Sequence, residues 1–178
     1  MEKRIGDVTL EVTIGDITDQ PDVDAIVNAA NADLRMGGGV AGAIHRAAGP
    51  GLAEESAPLA PIRPGQCVMT GGHRLPNPHV IHCLGPVYGV DEPSPDLLAA
   101  CYARALEIAD QAGLRSVAFP AISTGAFGYP VEDAARVAVR SISQAAAELG
   151  SVRLIRMVLH ADRDLEAHLE ALEETPGP

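Results

Sequence analysis

Residues 24–48 read DAIVNAANADLRMGGGVAGAIHRAA, and this stretch decides the fold. It begins with the apolar run Ala25-Ile26-Val27, which predicts a strand buried on both faces. Two asparagines and three consecutive glycines follow, and the alanine-rich segment after them predicts a helix. A glycine-rich turn between strand and helix lets backbone N–H groups and the positive end of the helix dipole approach an anion. The stretch therefore favours an anion site over a tight turn that merely happens to be rich in glycine.

The composition is typical of a globular α/β protein. Of the 178 residues, 47% are hydrophobic but only 3% are aromatic, so the core must be built from Ala, Val, Leu and Ile, which favours helices packed on a sheet. This length predicts a single domain over residues 1–178. No apolar run reaches the length of a membrane span, and the first residues lead into no signal-peptide core. We therefore expect a cytoplasmic protein.

The net charge of −11 argues against non-specific binding of nucleic acid, because no surplus of Lys and Arg can release counterions. A phosphate site in such an acidic chain has to use local backbone donors. The three cysteines, Cys67, Cys83 and Cys101, form no CxxC pair, which predicts neither a disulfide framework nor a zinc site. Because each has apolar neighbours in the sequence, we expect three small buried hydrophobic residues.

Strand and helix patterns alternate along the chain. The alternation from Val8 to Ile14 predicts a half-exposed strand at the edge of the sheet. Ser94 and Pro95 predict the N-cap and first residue of a helix, and Asn28 is interpreted as a turn residue. The predicted strands cover residues 8–14, 25–27, 66–70, 80–84, 116–121 and 152–159; the predicted helices cover 40–48, 52–59, 95–112, 130–149 and 162–172, before a frayed tail at about 174–178. Together they predict a mixed, mostly parallel sheet with helices on both faces.

A second glycine-containing turn, residues 123–128 (STGAFG), also follows a predicted strand and precedes a helix. Ligands of open α/β sheets bind outside the carboxyl ends of the strands, so we expect both turns on one rim, where they could hold two phosphates or one diphosphate from two sides. The glycines lack the spacing of a Rossmann fingerprint and are not followed by the Lys of a Walker loop, which disfavours an oxidoreductase and a P-loop protein. His79 and His82 lie three apart on a predicted strand and so on opposite faces, and we expect no metal site.

Five blocks of sequence, in this order and spacing, resemble the macrodomain family, which binds ADP-ribose. They are GDIT at residues 15–18, VNAAN at 27–31, GGGVAGAIH at 37–45, HCLGP at 82–86 and PAISTGAFGYP at 120–130. The resemblance covers nearly the whole chain. It implies a three-layer α/β/α macrodomain fold, with ADP-ribose and mono-ADP-ribosylated proteins as partners and with no cofactor. We expect a monomer, because no long apolar patch is left unexplained.

The resemblance also implies a role for each matching position. Asp16 would accept a hydrogen bond from the adenine amino group beside the Ile17 backbone, although it also suits the turn after the first strand. Asn31 would bind the distal ribose hydroxyls. His160 would stack on adenine, where relatives commonly carry an aromatic residue, although a solvent-exposed strand end explains it equally well. The implied ligand-binding residues are Asp16, Ile17, Ala30, Asn31, Gly37, Gly38, Gly39, Val40, Ala41, Ser123, Thr124, Gly125, Ala126, Phe127 and His160.

The implied activity is hydrolysis of mono-ADP-ribose from protein acidic side chains, at the C1″ ester of the distal ribose. The implied catalytic residues are Asn31, Phe127 and Gly39, which would position a water molecule near C1″. Cellular hydrolases of the family generally carry Asp after the Gly-Gly-Gly-Val run, where this chain has Ala41, whereas viral macrodomains share the Gly-Gly-Gly-Val-Ala-Gly sequence. Two alternatives stay open: a reader that binds ADP-ribose without cleaving it, and a deacetylase of O-acetyl-ADP-ribose.

Overall fold

A computed structural model describes residues 1–176, and its seven strands form one sheet in the order β1-β2-β7-β6-β3-β5-β4. The strands are β1 (Glu2–Ile5), β2 (Val8–Ile14), β3 (Ala25–Ala29), β4 (Cys67–Gly71), β5 (His79–Cys83), β6 (Ser116–Phe119) and β7 (Leu154–Leu159). The helices are α1 (Gly39–Ala48), α2 (Gly51–Ser56), α3 (Ser94–Gln111), α4 (Val131–Ala146) and α5 (Asp162–Glu174), with a 3₁₀ turn at Ala57–Leu59.

The sheet is parallel except for its two outermost pairs, β1 with β2 and β4 with β5. The strand β3 shows why helices cover both faces. Val27 belongs to the larger core cluster, which includes residues of α3, α4 and α5, whereas Ile26 belongs to a smaller cluster with Ile44 of α1 and Leu52 of α2. Successive side chains of a strand point to opposite faces, so an apolar run buries both. The predicted three-layer α/β/α fold with a mixed, mostly parallel sheet is confirmed.

The prediction that β2 is an edge strand is wrong, because β1 pairs with it along its outer side. The sequence of β1 is Glu-Lys-Arg-Ile, whose charges hide the strand pattern. Lys3 anchors this strand to the last helix: its Nζ donates to the carbonyls of Leu172 and Thr175, both at 2.8 Å. A cation at these carbonyls satisfies acceptors that have no partner within a helix.

Two further local expectations need correction. Ser94 is not an N-cap: it lies inside α3, and its hydroxyl donates to the Asp91 carbonyl at 2.6 Å. Cys83 and Cys101 are buried as expected, but Cys67 is only half-buried. The tail predicted from about residue 174 begins on the last residue of α5, Glu174, which pairs with Arg136 at 2.8 Å. Residues 177 and 178 of that predicted tail lie outside the described residues.

Within residues 1–176, no helix combines the length and the apolar character that crossing a membrane requires.

Candidate functional site

The first loop, residues 37–41, presents unpaired backbone donors at the start of α1. Gly39 has a left-handed φ of 57°, which glycine adopts without steric cost. A Cβ at Gly42 would collide with the Gly37 carbonyl oxygen, so the loop lies directly on the helix. The first helical hydrogen bond runs from the Gly42 N–H to the Gly38 carbonyl at 3.3 Å, and in the described chain the amides of residues 38–41 have no protein acceptor. Free amides at the positive end of a helix suit an anion.

The second loop, residues 123–127, also presents unpaired backbone donors. The Ser123 carbonyl accepts a hydrogen bond from the Tyr129 amide at 2.9 Å, and the Gly125 carbonyl accepts one from the Gly128 amide at 3.0 Å. The amides of the loop itself have no acceptor among residues 1–176. Ser123 is a non-glycine residue at φ 67°, and its buried hydroxyl has no partner in that part of the chain. Behind it, a Cβ at Gly85 would collide with the Ser123 hydroxyl. Strain of this kind is often retained where a backbone is shaped for a ligand.

The two loops lie side by side on one rim of the sheet, as the sequence predicts. The strands β3 and β6 that lead to them are parallel neighbours, with Ile26 paired to Ala118. The half-buried Phe127 ring packs against the cluster that contains Ala30 and Leu34, which precede the first loop. The carboxyl ends of parallel strands meet at one edge, so both loops lie at the same edge of the sheet.

Asn31 braces the segment that leads into the first loop. Its Nδ2 donates to the Arg35 carbonyl at 2.8 Å, and its Oδ1 accepts from the Arg35 amide at 3.0 Å. The same Nδ2 lies 3.3 Å from the position of a Cβ at Gly37, so the side chain contacts the loop. The amide keeps one N–H and one lone pair for a further partner. Ala30, by contrast, has no free donor to offer a ligand: it is buried, and its own N–H donates to the Cys83 carbonyl at 2.9 Å.

Asp16 and His160 meet at the carboxyl ends of the paired strands β2 and β7. The Thr18 hydroxyl and amide donate to Asp16 Oδ1 at 2.7 and 2.8 Å and hold the pKa of this carboxyl below its usual value, and the nearby His160 lowers it further. Both Asp16 and His160 are exposed, whereas the Ile17 side chain is buried in the core. Asp16 therefore closes the turn after β2 and still presents its second carboxylate oxygen to solvent.

The remaining predicted site residues contribute backbone more than side chain. Ala41 is 5% exposed, so its methyl group is buried beneath the loop, and Val40 is half-buried. The Thr124 hydroxyl donates to the Ala121 carbonyl at 2.9 Å, while Gly125 and Ala126 are exposed. Within residues 1–176, no group of three or more His, Cys, Asp or Glu side chains is arranged to hold a metal ion.

The sequence did not predict a buried polar cluster that lies beneath α1. The prediction that Asn28 is a turn residue is wrong: it lies within β3, with Nδ2 3.1 Å from His82 Nδ1, and His82 Nε2 is 2.9 Å from the Thr70 hydroxyl. Burial lowers the pKa of His82 to about 4 and also lowers the pKa of His45 on α1. The signal was present in the strand alternation, which puts Asn28 and His82 on the face that α1 covers.

Comparison with known proteins extends these observations. The Macro domain family profile matches residues 27–138. A macro domain-containing protein of Caldanaerobacter subterraneus subsp. tengcongensis is 47% identical over 168 residues, which cover 90% of this chain and 93% of that protein. The structure of the Oceanobacillus iheyensis macrodomain with ADP superposes with a TM-score of 0.92 at 40% identity, covering 97% of this chain and 94% of the other. The Trypanosoma brucei macrodomain in complex with ADP-ribose gives 0.85 at 37% identity, covering 92% and 68%.

Proposed function

This chain belongs to the macrodomain family, and on that premise we propose that it binds ADP-ribose between the first and second loops and hydrolyses the ester that links ADP-ribose to acidic side chains of proteins. The observation that carries the proposal is the pair of loops on one rim whose amides have no acceptor within residues 1–176. A diphosphate offers oxygens to both loops at once. In a chain of net charge −11, such local donors can hold an anion that the overall field repels.

The rest of the nucleotide would extend to either side of the diphosphate. Asp16 offers a free carboxylate oxygen to the adenine amino group, with His160 beside it as a stacking surface. Asn31 can add a donor and an acceptor to its contacts with Arg35, a combination that suits the two hydroxyls of a ribose. Phe127 would close the far side of that sugar. Two similar macrodomains were solved with ADP and with ADP-ribose, which supports ADP-ribose as the ligand proposed for this chain.

The proposed reaction needs positioning more than a strong base. The water oxygen forms a bond to C1″, the bond from C1″ to the ester oxygen breaks, and the carboxylate leaves with the bonding electrons. One water proton passes by way of a phosphate oxygen of the ligand to solvent. Holding water and sugar in reactive geometry, with donors fixed around the diphosphate, supplies the rate enhancement.

The specific observation that favours the second candidate, a reader, is Ala41. Its buried methyl group stands where cellular hydrolases of the family carry a carboxylate, and Asp33, the nearest acidic residue before the loop, is exposed. A reader would use the same cradle and leave the ester intact. A time course separates the two functions, because only the enzyme removes the label from a mono-ADP-ribosylated protein.

Binding is tested by calorimetry with ADP-ribose on Gly125→Val. A Cβ at Gly125 meets no atom within 4 Å, so valine fits the fold but fills the space of the ligand. Loss of two charge-assisted hydrogen bonds, at about 1.5 kcal/mol each, weakens binding about 100-fold. Ala103→Val, on an exposed position of α3, is the matched control and should bind as wild type does. Equal affinity in the two variants would show that the ligand does not enter the second loop.

Turnover is tested by release of ADP-ribose from a protein modified on glutamate, with an arginine-modified protein as the negative substrate. We expect release from glutamate only. In Asn31→Ala, which should keep the fold, we expect a rate about 100-fold lower, because a misplaced sugar loses the reactive geometry. Unchanged turnover in this variant would remove Asn31 from the mechanism. Tight binding of ADP-ribose with no release of label would establish the reader instead.

A further inference from the structure

All three cysteines of the chain meet at one place, although they come from three different elements. Cys67 begins β4, Cys83 ends β5 and Cys101 lies in α3, and all three thiols are free. The Cys67 and Cys83 sulfurs are 2.7 Å apart. The Cys101 carbonyl accepts from the Cys67 thiol at 3.4 Å, and the Cys101 thiol donates to the Leu84 carbonyl at 3.2 Å. None of these residues belongs to the proposed ligand site.

The backbone places Cys67 and Cys83 directly opposite one another in the antiparallel pair of β4 and β5. The ladder hydrogen bond next to them runs from the Leu84 N–H to the Gln66 carbonyl at 3.1 Å. The two cysteines therefore occupy the position between hydrogen bonds, where facing Cα atoms lie about 4.5 Å apart and side chains come closest. That separation falls within the range of about 4.4–6.8 Å that a disulfide spans. The strands need not move for the sulfurs to join.

We propose that Cys67 and Cys83 form a reversible oxidation site, at which a peroxide converts the two thiols into an intramolecular disulfide. The Cys67 sulfur attacks the peroxide, the O–O bond breaks, and Cys67 sulfenic acid and one water form. The Cys83 sulfur then attacks the Cys67 sulfur, the S–O bond breaks, and the departing hydroxide takes the Cys83 proton as a second water. The two thiols lose two electrons and two protons, and hydrogen peroxide gains them.

Cys67 is the thiol that the oxidant reaches first. It lies on β4, one of the two outer strands of the described sheet, and is half-buried, whereas Cys83 and Cys101 are fully buried. The neighbouring side chain of Cys101 lowers the pKa of Cys67, but the contact with Cys83 and burial outweigh it and raise the pKa overall. Thiolate is therefore scarce at neutral pH, and we expect oxidation to proceed slowly and to accelerate with rising pH.

Cys101 keeps its thiol in this reaction. It comes from a helix instead of the facing strand, and its S–H is already engaged by the Leu84 carbonyl. The new bond fastens β4, an outer strand whose neighbour in the described sheet is β5. It also fixes the end of β5, where the Cys83 carbonyl accepts from Ala30 at 2.9 Å. Oxidation thus adds a covalent link between β4 and β5 beside the rim that carries the two loops.

The experiment exposes the folded protein to hydrogen peroxide, removes the oxidant, denatures the protein with a thiol-alkylating reagent and maps the peptides by mass. One of the three thiols should remain, on Cys101, and the map should show a Cys67–Cys83 link within a monomer. The thermal midpoint should rise on oxidation and return with a dithiol reductant, because the link constrains the unfolded chain. Raising the pH should speed the loss of thiols.

Two variants make the result specific. Cys67→Ala should keep the thiols of Cys83 and Cys101 during the same exposure. Cys101→Ala should still lose the thiols of Cys67 and Cys83. A link between Cys67 and Cys101, a link between two molecules, or loss of thiols from Cys67→Ala at the wild-type rate would overturn the proposal. So would three intact thiols in the wild type after prolonged exposure. If Cys101→Ala does not fold, the wild-type peptide map alone decides which pair has formed.

Discussion

Acidification should destabilise this protein through His82, a residue distant in sequence from both loops. His82 is buried, with Nδ1 accepting from Asn28 at 3.1 Å and Nε2 donating to Thr70 at 2.9 Å, which describes the neutral ring. Burial, and to a smaller extent the nearby His45, lower the pKa of His82 from the usual 6.5 to about 4, while Glu55 opposes them. The unfolded chain therefore takes up a proton on His82 more readily than the folded protein does.

The sign and size of the effect follow from linkage. A histidine with a depressed pKa in the folded state leaves stability intact above its unfolded pKa and removes it as the pH falls toward the folded pKa. With pKa values of 6.5 unfolded and about 4 folded, the free energy of unfolding falls by about 2 kcal/mol between about pH 7 and about pH 5. Complete protonation sets a ceiling of about 3.4 kcal/mol on the contribution of His82.

The assay is urea unfolding at a series of pH values, on the wild type and on His82→Gln. Glutamine keeps an amide donor and acceptor in the cluster but cannot titrate in this range. The variant should lose about 2 kcal/mol less than the wild type over that interval. His168, whose pKa burial also lowers, remains in both proteins and so cancels in the comparison. Replacement of the exposed His160 controls for loss of a histidine as such. Parallel curves for wild type and His82→Gln would refute the argument.

Two further predictions separate the ligand rim from the opposite end of the sheet. Gly42→Ala drives a methyl group into the Gly37 carbonyl and displaces the first loop. Calorimetry should show ADP-ribose binding weakened about tenfold, which corresponds to the loss of roughly one hydrogen bond. Unchanged affinity would contradict the close packing of the loop on α1. The Asp110 carboxylate accepts hydrogen bonds from the amides of Gly150, Ser151 and Val152, at 3.0, 2.7 and 2.9 Å. Asp110→Ala leaves those amides to water and should lower the thermal midpoint by about 3 °C, the equivalent of about 1 kcal/mol, with ADP-ribose affinity unchanged. A loss of affinity in Asp110→Ala would show that the two ends of the sheet are coupled.

Local sequence patterns were sufficient for most of the fold. The apolar run of β3, the glycines and the alanine-rich α1 follow one another as predicted, because burial on both faces and helical spacing are visible within a few residues. The pattern failed at β1, where Lys3 looks like a surface residue. Its charge is satisfied by carbonyls at the end of α5, and no local signal records a partner so far along the chain.

The candidate site divides in the same way. Residue types and motif order identify both loops, and the resemblance to macrodomains predicts what each residue of the loops contacts. The strand alternation indicates which face Asn28 and His82 lie on, but the sequence does not reveal that they are neighbours there, or that Ser123 adopts a left-handed conformation against Gly85. Those facts depend on which strands are neighbours and how they are aligned.

By itself, the sequence determined every strand except β1 and all the helices, together with the chemistry of the two loops and their position at strand ends, since each depends on residues close together in the chain. Only the tertiary structure decided that β3 lies beside β6, which brings the loops together, and that the alignment of β4 with β5 sets Cys67 against Cys83. The physical reason is that strand pairing is made by backbone hydrogen bonds, which every residue except proline can both donate and accept. The choice of partner and register comes from packing of the whole core.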